Sequence, residues 1–261
     1  MSDVAAPIAV SHAVRRPAKL VPAVAESVVD RITSNEFVPG DLLPKESVLV
    51  EQFGVSRTVI RESLRVVEEK GLISIQQGRG TEVNPVERWN LLDPLVIAAQ
   101  VRHDPTLDTL DQMIVVRAAM ESEMARTAAE RMSKAWSERL QAGLEKLARS
   151  TSSVPDYIAA DREFHDLIMK CSGNMFGRRI AQEVHEWALT PESATTLDHL
   201  QAAERDHREM FVMLTTGNAA GAAEATRRHI VESWQRTRPH IARLRAEAQT
   251  EAISSSTDSD A

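Results

Sequence analysis

Only one cysteine, Cys171, occurs in the 261 residues. A disulfide framework within the chain is therefore excluded, and a lone thiol fits a reducing compartment such as the cytoplasm. Aromatic residues are also scarce, at 4% with a single tyrosine. Ala, Leu, Glu and Arg are plentiful instead, which favours a mostly helical protein. No apolar run approaches the ~20 residues of a membrane span, so no membrane partner is expected. A signal-peptide core is likewise missing near the N-terminus, and a cytoplasmic location is the expectation. Positive charge is short too: 31 Lys and Arg face 38 Asp and Glu, a net charge of −7. That balance speaks against a chain that coats nucleic acid along its length. It does not speak against a local reader, because local charge sets phosphate affinity. From Arg15 to Val83 there are ten basic and ten acidic residues, so the acidic excess lies elsewhere.

What is present begins with Leu43 to Val83. Pro44 suits the first turn of a helix, where its missing N–H costs nothing. Val48, Leu49 and Phe53 fall on one face. Gly54 follows as a residue able to take positive φ at a helix end. Ser56 is a good N-cap for a second helix, in which Ile60, Leu64 and Val67 form a buried stripe. Arg57, Thr58, Arg61 and Arg65 occupy the other side, with about 6 Å of rise between successive arginines. Gly71 ends this helix. Leu72–Ile75 and Thr81–Val83 are β-rich around a Gly78-Arg79-Gly80 turn. Helix, turn, helix and wing form a DNA-reading arrangement. An isolated helix with these arginines would read as a solvated face paired with Glu62 and Glu68; the turn and wing favour DNA contact.

This stretch resembles the winged helix-turn-helix of the GntR family of bacterial transcription regulators. The resemblance rests on Pro39-Gly40-Asp41, Leu43-Pro44, Glu46, Phe53-Gly54-Val55-Ser56-Arg57, Arg61-Glu62, Leu64, Gly71-Leu72-Ile73, Gln77-Gly78 and Gly80-Thr81. It implies DNA contacts from Lys45, Ser56, Arg57, Thr58, Arg61, Gln77, Gly78 and Arg79. One departure stands out. Ser47 occupies a place where the family usually has an arginine, and Lys45 is the nearby substitute.

The fold class expected is mainly α, with a winged helix-turn-helix followed by an antiparallel bundle of six to seven helices. Residues 1–18 are expected to form a flexible arm and 19–85 the DNA-binding module. Residues 86–105 read as a linker with a short helix, 106–246 as the helical domain and 247–261 as a disordered tail. Within the bundle, helices are expected over 109–132, 134–150, 154–171, 175–188, 196–215 and 219–245. A loop begins at Thr190-Pro191.

Asp161 and His165 are four apart and share a helix face. His207 and His229 are roughly equidistant from the Thr216-Gly217-Asn218 turn. In a helical hairpin they come to the same height, so one carboxylate and three imidazoles can converge. Zn, Ni, Mn or Fe would accept that set. A buried trio that simply hydrogen-bonds the bundle is the competing reading. His12, His103 and His240 read as surface residues, and His185 as either core or solvent.

Residues from about 109 to 236 resemble the FCD ligand-binding domain of the FadR-type branch of the same family. Arg117-x-x-x-Glu121, Asp161-x-x-Phe164-His165, Ser172-Gly173-Asn174, His207 before Gly217-Asn218, and Ala223 with Arg228-His229-Ile230 carry this resemblance. It implies a divalent metal, zinc first, held by Asp161, His165, His207 and His229. A small organic acid could chelate at open metal positions, with Arg117 as a second clamp. An Arg117–Glu121 pair along the helix is the alternative for that arginine. The segment Trp89-Asn90-Leu91-Leu92-Asp93-Pro94 is similar to that of members responding to sugar acids such as galactonate.

The function expected is that of a homodimeric, non-enzymatic transcription regulator on double-stranded DNA with a pseudo-palindromic operator. Repression relieved by a sugar acid or hydroxy acid is favoured. A metal-dependent enzyme acting on sugar acids and a metal-free acyl-CoA-type sensor are the alternatives. The first lacks an evident general base, and the full Asp/His set argues against the second.

Overall fold

A computed structural model of the chain describes residues 17–188 and 196–258. Two compact units divide between His103 and Asp104. The expected arm is almost wholly outside the described residues, as are the Thr190-Pro191 loop and the side chain of His185.

The first unit contains α1 (Pro17–Thr33), α2 (Glu46–Phe53), α3 (Arg57–Glu69), β1 (Ile73–Gln76), β2 (Gly80–Val83) and α4 (Pro94–His103). Val24, Ala25, Val28 and Ile32 of α1 recur at helical spacing and are buried with Leu49, Ile60, Leu64 and Val67. The α3 hydroxyl of Ser63 donates to the Val21 carbonyl at 3.1 Å, pinning the two helices where their backbones approach. β1 and β2 pair antiparallel, with Ile73 opposite Val83 and Gln76 opposite Gly80. The turn between them occupies 77–79, with Gly78 at φ +80°. Glu68 does not pair with the α3 arginines as the solvated-face reading would have it. Its carboxylate accepts from the Ile75 amide at 2.7 Å and ties the wing to α3.

Four local expectations change. Pro44 stands outside the first turn, because Lys45 is the N-cap of α2. Val48 is exposed, so the buried face of α2 is narrower and rests on Leu49. The segment after the wing is no free linker. Trp89 Nε1 donates to the Asn84 carbonyl at 3.0 Å, and Lys70 pairs with Asp93 at 2.6 Å. Asp93 then accepts from the Leu95 amide at the start of α4. Val96 and Ala99 enter the N-terminal core. Arg102 and His103 both reach Asp30 of α1, at 2.6 and 3.1 Å, so His103 is half-buried and partnered instead of a free surface residue.

Among the described residues the second unit is a bundle of six helices: α5 (Asp108–Glu130), α6 (Lys134–Arg149), α7 (Val154–Ser172), α8 (Met175–Ala188), α9 (Leu197–Thr215) and α10 (Ala219–Asp258). Side-chain caps at Ser133, Ser153 and Thr196 start α6, α7 and α9. Gly173 and Gly217, both at positive φ, allow the sharp reversals into α8 and α10. Phe164, Leu140, Leu147, Met210 and Leu214 fill the centre. Asp111 of α5 accepts from Trp234 Nε1 at 2.6 Å and from Arg238 Nη2 at 2.7 Å, locking α5 to α10. The expected disordered tail is instead helical to Asp258. Ala246, Glu247, Ala248 and Gln249 are good helix formers, and neither Gly nor Pro interrupts the run after Pro239.

Gly71 supplies a test of the N-terminal unit. Its φ is +81°, and a Cβ there would stand 2.1 Å from the Arg88 carbonyl oxygen, a backbone atom that cannot swing away. Gly71→Ala is expected to cost about 1–3 kcal/mol from the backbone conformation alone, with the clash in addition. Denaturant unfolding followed at the tryptophans measures it. An unchanged midpoint would show that the post-wing segment does not pack on α3 in this way.

Candidate nucleic-acid interface and metal centre

The α3 helix presents Ser56, Arg57, Thr58, Arg61 and Arg65 to solvent and buries Val59, Ile60, Ser63, Leu64 and Val67. Ser56 caps the helix by accepting from the Val59 amide at 3.3 Å. The exposed N-terminal turn of α3 therefore combines free backbone N–H groups, a helix dipole and Arg57, a combination suited to phosphate. Arg61 lies 3.9 Å from Glu46 of α2, and Arg65 lies 3.7 Å from Glu62. Both contacts are long and solvent-exposed and hold the arginines only weakly. Gly54, at φ +62°, makes the turn between the helices. Lys45, Gln77, Gly78 and Arg79 line one groove between the start of α2 and the wing. Ser47 is exposed on the first turn of α2.

In the bundle, the convergence expected from spacing is present. Asp161, His165, His207 and His229 each offer a ligand atom, and these atoms lie within 4.8 Å of one another. The three imidazoles are buried and Asp161 is half-buried. His207 Nε2 is 3.0 Å from Asp161 Oδ1 and 3.4 Å from His165 Nε2. The His229 ring sits 4.3 Å from the His207 ring and 5.3 Å from the His165 ring. The α7 helix supplies the first two groups through their i, i+4 spacing. The α9–α10 hairpin supplies the others. Phe164 packs edge-on against His207 at 5.3 Å and closes the floor of the site.

Each imidazole has a second partner at Nδ1. His165 Nδ1 meets Glu121 Oε2 at 2.6 Å. His207 Nδ1 is 3.4 Å from the Tyr157 hydroxyl, and His229 Nδ1 is 3.4 Å from Asp206 Oδ2. Glu121 in turn accepts from Arg117 Nε at 2.7 Å, and Asp206 from Arg236 at 3.0 Å. Arg117 is only 8% exposed and Glu121 2%. Arg117 thus forms the pair along the helix that the sequence left as one of two options, and it reaches the cluster through Glu121. Glu121, Tyr157 and Asp206 were not singled out from sequence as partners of the histidines. Tyr157 and Asp161 share the four-residue spacing of Asp161 and His165, and Asp206 adjoins His207. Those were the available signals.

The charges are consistent with ligation. Burial raises the Asp161 carboxyl, but the His207 hydrogen bond and the surrounding imidazoles outweigh it and hold the group well below the usual carboxylate range. Burial first, then the neighbouring His207, lowers His229 to about 3, so this ring is a neutral donor at physiological pH. Neutral imidazoles and an ionised carboxylate are the forms a metal needs. Two donors each ~2.1 Å from one ion stand roughly 3–4 Å apart, which matches the 3.0 and 3.4 Å separations here. The residues present therefore fit a divalent cation.

Comparison with known proteins agrees with this division. The model for bacterial regulatory proteins of the gntR family matches residues 20–83, and the FCD domain model matches residues 112–232. The HTH-type transcriptional regulator YieP of Escherichia coli (strain K12), itself uncharacterized, is 30% identical over 187 residues. That match covers 68% of this chain and 81% of YieP. The galactonate operon transcriptional repressor of the same organism is 31% identical over 144 residues, covering 55% of this chain and 63% of that protein. LutR of Bacillus subtilis (strain 168) is 27% identical over 206 residues, covering 76% and 92% respectively. Among solved structures, Lar, which controls expression of the Listeria monocytogenes agr system, superposes with a TM-score of 0.57 at 18% identity. It covers 84% of this chain and 97% of Lar, a likeness of fold alone. The chain belongs to the GntR family of bacterial transcription regulators and carries an FCD domain. It is a DNA-binding regulator whose helical domain can hold a divalent metal.

Proposed function

We propose that this protein is a homodimeric, cytoplasmic repressor released from its operator by a small organic acid bound at a metal in the helical domain. The observation that carries this reading is the buried Asp161/His165/His207/His229 cluster with Arg117 close behind it. Zinc is the first choice for a site of three nitrogens and one carboxylate oxygen, with Ni, Mn or Fe as alternatives. The bound metal would supply a positive centre for a carboxylate and an α-hydroxyl. Arg117 is held through Nε by Glu121, and its remaining guanidinium N–H groups would pair with the same anion. Similarity to a galactonate operon repressor makes an aldonate or related hydroxy acid the class to try first.

Two winged modules would read two half-sites of a pseudo-palindrome. In each, Arg57, Thr58 and Arg61 of α3 would enter the major groove, with Ser56 at the helix start beside phosphate. Lys45 and the wing residues Gln77, Gly78 and Arg79 would contact the backbone alongside. The acid can drive release only by binding the DNA-free arrangement more tightly than the DNA-bound one.

An enzymatic reading is disfavoured because the carboxylates that reach the cluster, Glu121 and Asp206, are engaged by His165 and His229 and by an arginine each, and the two acids nearest to it in sequence are engaged elsewhere. Glu163 is exposed and paired with Lys146, and Asp166 pairs with Arg178 at 2.6 Å. An acyl-CoA-type sensor is disfavoured by four polar side chains at the place where an acyl chain would need apolar walls.

Three measurements follow from this reading. Arg57→Ala and Arg61→Ala are each expected to weaken operator binding by about 1–3 kcal/mol with unchanged melting, and to flatten the salt dependence by roughly one unit where phosphate is the partner. Wild-type binding isotherms for both would refute the assignment of α3. A thermal-shift screen of sugar acids and hydroxy acids is expected to give stabilisation only with metal-loaded protein, and none after chelation. Equal shifts with and without chelator would remove the metal from the effector site. His207→Ala should keep operator binding and lose the response to the acid, read by DNA release in a mobility-shift titration. Normal release would make the cluster structural.

A further inference from the structure

The chain passes from the first unit to the second at His103–Asp104. On the near side Arg102 and His103 are held by Asp30 of α1. On the far side the segment Asp104–Asp111 is held by α10. We infer that Arg238 and Arg245 are positioning residues, which make α10 the element through which binding at the Asp161/His165/His207/His229 cluster is felt at this joint. This inference rests on the metal reading above and deepens it by naming the route of its regulation.

The joint is a built turn. Asp104 Oδ1 accepts from the Thr106 amide at 3.0 Å and from the Thr106 hydroxyl at 2.6 Å, and Oδ2 accepts from the Thr109 amide at 2.6 Å. Leu107, between these partners, is buried and stands at φ +69°. A bulky side chain takes that left-handed conformation only where its surroundings hold it. The α10 helix supplies the hold. Trp234, Arg238 and Arg245 are spaced i, i+4, i+11 and share one face of it. Trp234 Nε1 donates to Asp111 Oδ1 at 2.6 Å. Arg238 Nη2 donates to Asp111 Oδ2 at 2.7 Å and to the Thr106 carbonyl at 3.0 Å. Arg245 Nη1 donates to the Asp104 carbonyl. Two of these acceptors are the backbone of the joint itself, so a shift of α10 either carries the joint with it or breaks the bonds.

Another face of the same helix reaches the cluster. His229 is one of the four converging groups, and Arg236, at i+7 from it, donates to the Asp206 carboxylate that His229 Nδ1 faces. From His229 to Arg238 is about 13 Å of helix rise. A continuous helix of that length is a rigid element able to carry a restraint from one end to the other. The FCD model matches residues 112–232, so both halves of the clasp, 104–111 and 234–245, lie outside the matched domain. The clasp is therefore a feature of this chain that the domain model does not span.

The test uses the full-length protein, zinc as probe, and amide hydrogen exchange read by mass spectrometry. Peptides covering 104–111 are compared with peptides covering the cluster on α7 and α9. In wild type, zinc is expected to slow exchange in both places. In Arg238→Ala it should slow exchange around the cluster as before and leave 104–111 unprotected. Arg238→Lys keeps the charge but not the forked contact to Asp111 and Thr106, and should fall between the two. Arg245→Ala is the second variant, with the same loss expected at 104–111 should Arg238→Ala fail to fold. A clasp that is structural only would speed exchange at 104–111 in the variants yet leave its response to zinc intact, and that result overturns the inference. Wild-type protein in which zinc protects the cluster but not 104–111 overturns it as well. If zinc protects neither place in wild type, the metal reading itself falls and takes the inference with it.

Discussion

The buried contact between His207 Nε2 and Asp161 Oδ1, at 3.0 Å, organises the helical domain. A carboxylate and three imidazoles in a bundle core are expensive unless every polar atom has a partner. The bundle meets that demand from four directions. Asp161 and His165 project from α7, His207 from α9 and His229 from α10. Glu121 on α5 closes the ring of hydrogen bonds. The cluster thereby ties together side chains from four helices at once. Phe164, packed edge-on against His165 and His207, shapes the space but does not choose its chemistry.

The DNA-reading unit depends on a different kind of constraint, that of backbone conformation. Gly54 turns α2 into α3, and Gly71 lets the chain leave α3 beneath the Arg88 carbonyl. The hydrogen bond from the Ile75 amide to Glu68 then sets the wing against the helix that carries the arginines. The arginines need little of their own: α3 is presented by its buried stripe, and its exposed side is left to the ligand. An overall charge of −7 is compatible with DNA binding because this face is locally cationic while the acidic excess lies outside the winged module.

Much of the fold was legible in the chain. The helix start at Ser56 and the reversals at Gly54, Gly173 and Gly217 are local signals, read by a single residue's preferences, and the caps at Ser133 and Ser153 found in the structure belong to the same kind. The boundaries of α6, α7 and α9 fall within a residue or two of the pattern for that reason. Segments settled by distant partners were misread. The stretch after the wing looked like a linker because its prolines and polar residues break periodicity, yet Lys70, Asp30 and Asn84 anchor it. Val48 fits a helical stripe, yet it is 40% exposed. The chain beyond 246 looked too polar to order, yet it continues a helix already nucleated, where elongation is easier than initiation.

The sequence by itself determined the class of protein, through motifs that resemble a known family, and brought together the four groups of the candidate metal site, through spacing. Positions i, i+4 on one helix and equal distances from one turn leave those four groups few ways to miss one another. Only the tertiary structure decided the roles around them. It paired Arg117 with Glu121 and led that pair to His165, 44 residues further on. It gave His207 a phenol and His229 a carboxylate. No local rule predicts which nitrogen of a histidine faces which acceptor, because that depends on how separate helices are rotated against one another.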